Sequence, residues 1–296
     1  MIIDALAKTI QEKQKKLDTH ASKMNKSNFP KNYANSRRTE NLHSWLIEHP
    51  DTARKIEMAQ YIDTKEHMSL LQEARRGAQS IADAWEFGRK YSYTDLIENS
   101  QLIKLNSIIN GRESREFKEE FKKHKEIIYR SNINRCESHE AALDLERERK
   151  KPYSHDFRSD EKTLNMKTYT PPSPKKIIPH LNKLRADLAV LPLKPLEKVI
   201  YTHLAIAGIQ PFDDGNKRTA RLIQNKGLAQ LHLPAPELKI GERDHYLNSL
   251  EQGLSALYMY GDKKDNQWYK MENFFNLIAG KINVELDKQL ATYKIK

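Results

Sequence analysis

Two apolar helical stretches separated by only six residues constrain this 296-residue chain more than any other feature. The first, residues 195–209 (PLEKVIYTHLAIAGI), opens with Pro195 at a first-turn position, where a missing N–H leaves no hydrogen bond unmade. It places Leu196, Val199, Ile200 and Leu204 at helical spacing toward an interior. The second begins near Asn216 and runs through Leu231, with Leu222, Ile223, Leu228 and Leu231 as its apolar positions. Both helices are expected to be buried, and the link QPFDDG must reverse or redirect the chain between them.

The rest of the sequence agrees with an all-α chain. Residues 42–88 are rich in Ala, Leu, Glu, Arg and Gln, and Leu42, Trp45, Leu46, Ile81 and Trp85 fall at helical spacing, which predicts several helices. Residues 94–110 give another amphipathic helix, opened by a cap at Thr94 and closed at Asn110–Gly111. The run RESREFKEEFKKHKE (112–126) reads as a solvated helix face, and 131–165 as a polar insertion. His139 and His155 in that insertion lack the spacing of a metal pair. The segment MKTYTPPSPKKI breaks the helical pattern, because Pro171, Pro172 and Pro174 exclude a helix while Thr168, Tyr169 and Thr170 favour extended backbone. A short β-hairpin is expected there. The domain boundaries drawn from these shifts are a basic N-terminal helical extension (1–93), a main domain (94–280) and a C-terminal helical tail (281–296).

Charge narrows the partners. The net charge of +11 favours anions, but residues 1–38 alone hold nine Lys/Arg against three Asp/Glu, so the surplus is not focused on one site. No nucleic-acid recognition motif accompanies it, and nucleic acid is not an expected partner. The single Cys136 excludes an internal disulfide and a cysteine-built zinc site, which suits a reducing compartment. No apolar run approaches a membrane span and the start lacks a signal-peptide core, so the reading is a cytoplasmic chain without membrane contact, compatible with later export as an effector. The sequence is also compatible with a homo-oligomer.

On chemical grounds the six-residue link and the start of the following helix read either as an anion site or as a capped helix with a tight turn and surface arginines. Gly215 can take a backbone conformation closed to other residues, and the helix behind it presents N–H groups outside its own ladder together with the positive end of its dipole. Lys217 and Arg218 are cations where the dipole alone disfavours them, which makes sense if an anion offsets both. Arg221, one turn later, supplies a bidentate fork on nearly the same side, and Asp214 is the natural carboxylate for Mg²⁺ carried on phosphate oxygens.

These residues resemble the signature of the Fic (Fido) family, His-Pro-Phe-x-Asp/Glu-Gly-Asn-Gly/Lys-Arg-x-x-Arg. Here it stands as Gln210-Pro211-Phe212-Asp213-Asp214-Gly215-Asn216-Lys217-Arg218-Thr219-Ala220-Arg221, broken only at its first position. The resemblance covers roughly Thr94 to Leu277 and implies a Fic-type helical bundle with a short β-hairpin flap and an N-terminal helical extension. It further implies AMP transfer from ATP, with Mg²⁺, to a hydroxyl of a target protein, the target being held by strand addition at the flap residues Thr168, Tyr169 and Thr170. By position it makes Asp214 the Mg²⁺ ligand, and Gly215 and Asn216 parts of the turn that meets the α-phosphate. Arg218 becomes a β-phosphate contact and Arg221 the γ-phosphate contact. Lys217 resembles the Doc branch, where a lysine accompanies phosphate transfer, whereas Arg221 resembles the adenylylating branch. The stretch ERDHYLNSLEQG is similar to the family helix that helps enclose the base.

Two features qualify the activity. SRRTEN (Ser36 to Asn41) fits the family's inhibitory pattern Ser/Thr-x-x-x-Glu-Gly/Asn, so Glu40 is expected to pair with Arg221 and occupy the γ-phosphate position, with Ser36 and Asn41 completing the motif. Gln210 stands where the family has the histidine that takes the proton from the attacking hydroxyl, and a glutamine cannot accept that proton at neutral pH. Loss of a general base costs on the order of 10²–10⁴ in rate. His203, two turns earlier among apolar neighbours, reads as a satisfied core histidine rather than a substitute base. The alternatives are a weak adenylyltransferase, a non-catalytic nucleotide sensor or protein-binding module of the same fold, and Doc-like phosphotransfer.

Overall fold

Helix α6 (Pro195–Ile209) is the centre of the molecule, and its sequence shows why. Val199 through Ile209 is buried without interruption, as expected of a helix that is apolar all round and surrounded by others. In the computed structural model the described residues are 2–21, 41–58, 63–111, 172, 176–259 and 271–292. Before α6 they form α1 (Asp4–Ala21), a helical stretch over 41–46, α2 (Pro50–Glu57), α3 (Thr64–Gly88), α4 (Asn99–Ile109) and α5 (Ile177–Val190). After it come α7 (Asn216–Gln230), α8 (Arg243–Met259) and α9 (Glu272–Thr292). No strand occurs among the described residues, and the architecture is the expected all-α bundle. The flap residues Thr168, Tyr169 and Thr170 lie outside the described residues, as do Ser36 and Glu40.

Helices α5, α7, α8 and α9 all pack on α6, while α3 and α4 pair with each other and both reach α7. Close approach of α6 and α7 depends on Gly227, where a Cβ would lie 2.7 Å from Val199 Cγ2. The N-terminal part is no separate layer. Helix α1 packs along α9, and Ile2, Ile10, Leu17, Trp45 and Ile47 belong to the same continuous core as Ile200, Leu204 and Phe274. Helix α9 likewise passes the 280/281 boundary without a break. A carboxylate ties the two ends of this arrangement together: Glu197 accepts hydrogen bonds from the Lys194 and Ile2 amides, capping α6 while holding the chain start.

The structure corrects the fourth helix. Thr94 does not cap an α-helix: it precedes a 3-10 turn over Asp95–Ile97, and Glu98, with φ −65° and ψ 144°, interrupts the path before α4 begins at Asn99. Local side-chain bonds win here, because Asp95 accepts from the Ser92 amide and Ser92 Oγ accepts from the Asp95 amide, closing a tight turn where a regular helix start was expected. The C-terminal signal was legible: Asn110 ends the helix and Gly111 takes φ +68°.

Candidate functional site

The six-residue link is a tightly specified turn. Gln210 caps α6 in the left-handed conformation (φ 44°, ψ 59°) and Gly215 caps α7 at φ 76°, ψ 7°. Between them Asn216 folds back on Phe212, its Oδ1 accepting from the Phe212 amide at 2.9 Å and its Nδ2 donating to the Phe212 carbonyl at 2.6 Å. Two asparagines of α4 brace the same turn from outside. Asn106 and Asn110 both donate to the Asp214 carbonyl, and Asn106 also donates to Thr219 Oγ1. A side chain at Gly215 is excluded twice over, by the positive φ and by Asn110 Oδ1, which would stand 2.7 Å from its Cβ.

The α7 side chains then separate by role. Arg218 is buried, and its Nη2 donates to Asp214 Oδ2 at 2.8 Å and to Asn110 Oδ1 at 2.9 Å. Its Nε is buried with no hydrogen-bond partner among the described residues. Asp214 is half-exposed at 54 %. One carboxylate at the edge of an anion turn fits Mg²⁺ carried on phosphate oxygens and water rather than an all-protein cage. Among the described residues, no cluster of three or more His, Cys, Asp or Glu could hold a metal ion without such a ligand.

Arg221 is buried at 5 % and engaged on every side. Nη1 donates to Glu48 Oε1 at 2.8 Å and to the Tyr246 hydroxyl at 3.3 Å, while Nε and Nη2 donate to Ser44 Oγ and the Ser44 carbonyl at 3.1 and 2.8 Å. Lys217 Nζ stands 3.4 Å from the other oxygen of Glu48. Burial opposes ionisation of Glu48, but Lys217, Arg221 and Arg218 more than offset it and hold its carboxyl at about 2, so it is an anion at any ordinary pH. The same partner pushes Arg221 above its usual range, against the opposing effect of burial.

Among the described residues the carboxylate partner of Arg221 is therefore Glu48, with Ser44 one turn before it; Glu40, the residue expected in that role, lies outside the described residues. Asn41 lies in the helical stretch 41–46, half-buried, and none of the hydrogen bonds to Arg221 comes from it. Ser44 and Glu48 repeat the Ser-x-x-x-Glu spacing eight residues further on, followed by His49 instead of glycine or asparagine. That final position hid the motif. The segment is anchored by Trp45, which is buried, stacks on His49 at 3.8 Å between ring centroids and fills a notch left by Gly77 of α3. Arg243 completes the anchorage by donating to the Ile47 carbonyl. Asn106, Asn110 and Tyr246 were also missed; a lone asparagine or tyrosine at helical spacing carries no signal of a partner on a distant helix.

His203 is the satisfied core histidine that its apolar neighbours implied. It is fully buried, with Nδ1 at 2.7 Å from Gln224 Oε1 and Nε2 at 3.0 Å from the Tyr246 hydroxyl. Burial lowers its pKa to about 3, so it is neutral.

Taken together, the buried α6–α7 pair, the left-handed glycine turn and the Asn-Lys-Arg-x-x-Arg face define a Fic-type domain, and comparison with known proteins agrees. Residues 100–228 match the model of the Fic/DOC family. Over 85 residues, 28% of this chain and 17% of the relative, the sequence is 32% identical to protein adenylyltransferase fic-1 of Caenorhabditis elegans. The fold is shared with a Fic domain containing signaling protein from Bacteroides thetaiotaomicron (TM-score 0.60, 16% identity, covering 94% of this chain and 95% of that one). It is shared as well with the 134–508 segment of Caenorhabditis elegans Fic-1 (TM-score 0.55, 16% identity, 96% and 71%). Residues 100–228 of the chain thus carry a Fic/DOC family domain. No helix among the described residues is long and apolar enough to cross a membrane.

Proposed function

We propose that the chain binds Mg-ATP at the Gly215 turn, that Glu48 acts as a built-in brake on the γ-phosphate position, and that the chemistry of the site is AMP transfer to a hydroxyl of a target protein. One observation carries this reading: a half-buried carboxylate, Glu48, already sits between Arg221 and Lys217 at the mouth of α7. Two cations hold an internal anion here, as they would hold a terminal phosphate. Arg218, with its unpartnered Nε, and the turn amides would take the inner phosphates; Asp214 would hold the magnesium, whose contribution is to neutralise phosphate charge.

In the transfer, the target hydroxyl oxygen bonds to the α-phosphorus as the bond to pyrophosphate breaks, and the hydroxyl proton must leave. Gln210 can orient the hydroxyl but cannot take its proton. His203 is spent in its own hydrogen bonds and neutral in the core, so it does not replace the missing base. Catalysis by this chain then rests on positioning and on the cationic turn, and is slow. Gln210 favours a second reading, a nucleotide-sensing module without turnover. The Doc-like reading is supported only by the identity of Lys217, whose ammonium faces the Glu48 carboxylate in this structure.

Labelled ATP separates these. Transfer of α-label to protein supports adenylylation, transfer of γ-label supports phosphotransfer, and tight binding with neither supports the sensor. The Glu48→Gly chain is the form to use, since the brake would otherwise mask all three.

A further inference from the structure

We infer that Tyr246 and His203 are positioning residues that fix the direction of the Arg221 guanidinium, and through it the preference of the site for a triphosphate over a shorter nucleotide. The inference rests on the reading of Arg221 as the terminal-phosphate contact.

Hydrogen-bond chemistry settles the direction of every link. A guanidinium only donates, so the Tyr246 oxygen must accept from Arg221 Nη1. The Tyr246 proton then needs an acceptor, and His203 Nε2 at 3.0 Å supplies it. That requires the proton of the neutral imidazole to sit on Nδ1, which donates to Gln224 Oε1 at 2.7 Å. The opposite tautomer would aim two donors at the Tyr246 oxygen and leave its own proton without an acceptor. The row runs from α7 through α6 and α8 and back to α7, and the rings that carry it are locked: His203 meets Phe274 edge-on at 5.1 Å, and Arg221 lies over the Tyr246 ring at 5.7 Å.

Its consequence appears when the brake leaves. Among the described residues Arg221 donates four hydrogen bonds, three to Ser44 and Glu48 and the fourth to Tyr246. If the 41–48 segment withdraws, the Tyr246 oxygen is the core group that keeps the fork aimed along α7 toward the turn. Without it the guanidinium must be ordered by the ligand itself, and that cost falls on nucleotides with a terminal phosphate to offer.

The test uses the full chain with Glu48→Gly. Adding Tyr246→Phe keeps the ring and removes the hydroxyl; the expected result is a rise in the Kd for Mg-ATP of about five- to tenfold, with the Kd for AMP unchanged. With Tyr246 kept, His203→Gln, which retains a neutral acceptor, should preserve more of the ATP affinity than His203→Leu. An equal loss for ATP and AMP, or no loss for either, overturns the inference. Nitrogen NMR of the Arg221 Nε–H in ligand-free Glu48→Gly, assigned with Arg221→Lys, gives an arm independent of nucleotide. The signal should be sharp in that parent and broadened by Tyr246→Phe, and an unchanged signal overturns the inference whatever ATP does. Should Glu48→Gly fail to bind ATP while the NMR arm succeeds, the proposed function falls and the positioning role stands.

Discussion

Glu48 divides its two oxygens between Arg221, at 2.8 Å, and Lys217, at 3.4 Å. The lysine that departs from the glycine of the commoner family motif thus faces the proposed brake, and one carboxylate answers two cations.

Removing that carboxylate has opposite effects on folding and on binding. Glu48→Gly leaves Arg221 buried without its counter-charge, which typically costs about 3–5 kcal/mol. The variant should melt lower than the parent in buffer and regain most of the difference in saturating Mg-ATP, while ATP affinity by calorimetry rises at least tenfold. A variant that melts lower and gains no stabilisation from ATP would argue against a phosphate site at Arg221.

Restoring the base tests the chemistry. In the Glu48→Gly chain, Gln210→His should raise AMP transfer by on the order of 10²–10⁴, the usual worth of a positioned general base. Gln210 adopts φ 44°, a region that histidine tolerates as well as glutamine does, so folding should be little changed. Equal rates for Gln and His at this position would show that proton removal does not limit the reaction.

A remote substitution should release the brake. Alanine favours a helix over glycine, yet a Cβ at Gly77 would stand 2.0 Å from Trp45 Nε1, so Gly77→Ala must expel the indole that anchors the Ser44–Glu48 segment. The expected outcome is a gain in ATP affinity in the same direction as Glu48→Gly, with protease sensitivity rising near residues 41–49. Unchanged affinity would mean that the segment is held without Trp45.

Two buried groups give the stability a defined pH course. His203 has its pKa lowered from 6.5 to about 3, so between those values the unfolded chain binds a proton that the folded chain refuses, and stability falls as pH drops through that window. Glu48 is lowered from 4.5 to about 2, and its contribution, present in full above the unfolded value, is lost as pH falls from about 4.5 toward 2. Denaturant midpoints measured from pH 7 to pH 3 should decline, and His203→Gln should flatten the upper part of that decline. A slope from pH 6 to 5 that survives in His203→Gln would have to come from other groups.

The legible parts of the molecule are those whose cause is local. Pro195, the apolar run of α6 and the glycine before Asn216 place both central helices to within a residue, because caps, turns and periodicity act over a few positions. The motif residues converge as their spacing on α7 requires. What the sequence hid depends on tertiary partners: the bracing by Asn106 and Asn110, the bond from Arg221 to Tyr246, and above all the pairing of Arg221 with Glu48. Two segments eight residues apart share the Ser-x-x-x-Glu spacing, and what recommends the second is a notch for Trp45 on a helix thirty residues downstream. No local rule contains that information.

The two asparagines of α4 have a kinetic meaning as well. Their grip on the Asp214 carbonyl spans 108 and 104 residues of chain, so the turn cannot take its shape until distant parts of the bundle have docked. It is then finished before any ligand arrives. On the proposed function a nucleotide would meet a rigid mould, little of its binding energy would go into ordering backbone, and the speed of its capture would be set by how often one glutamate lets go.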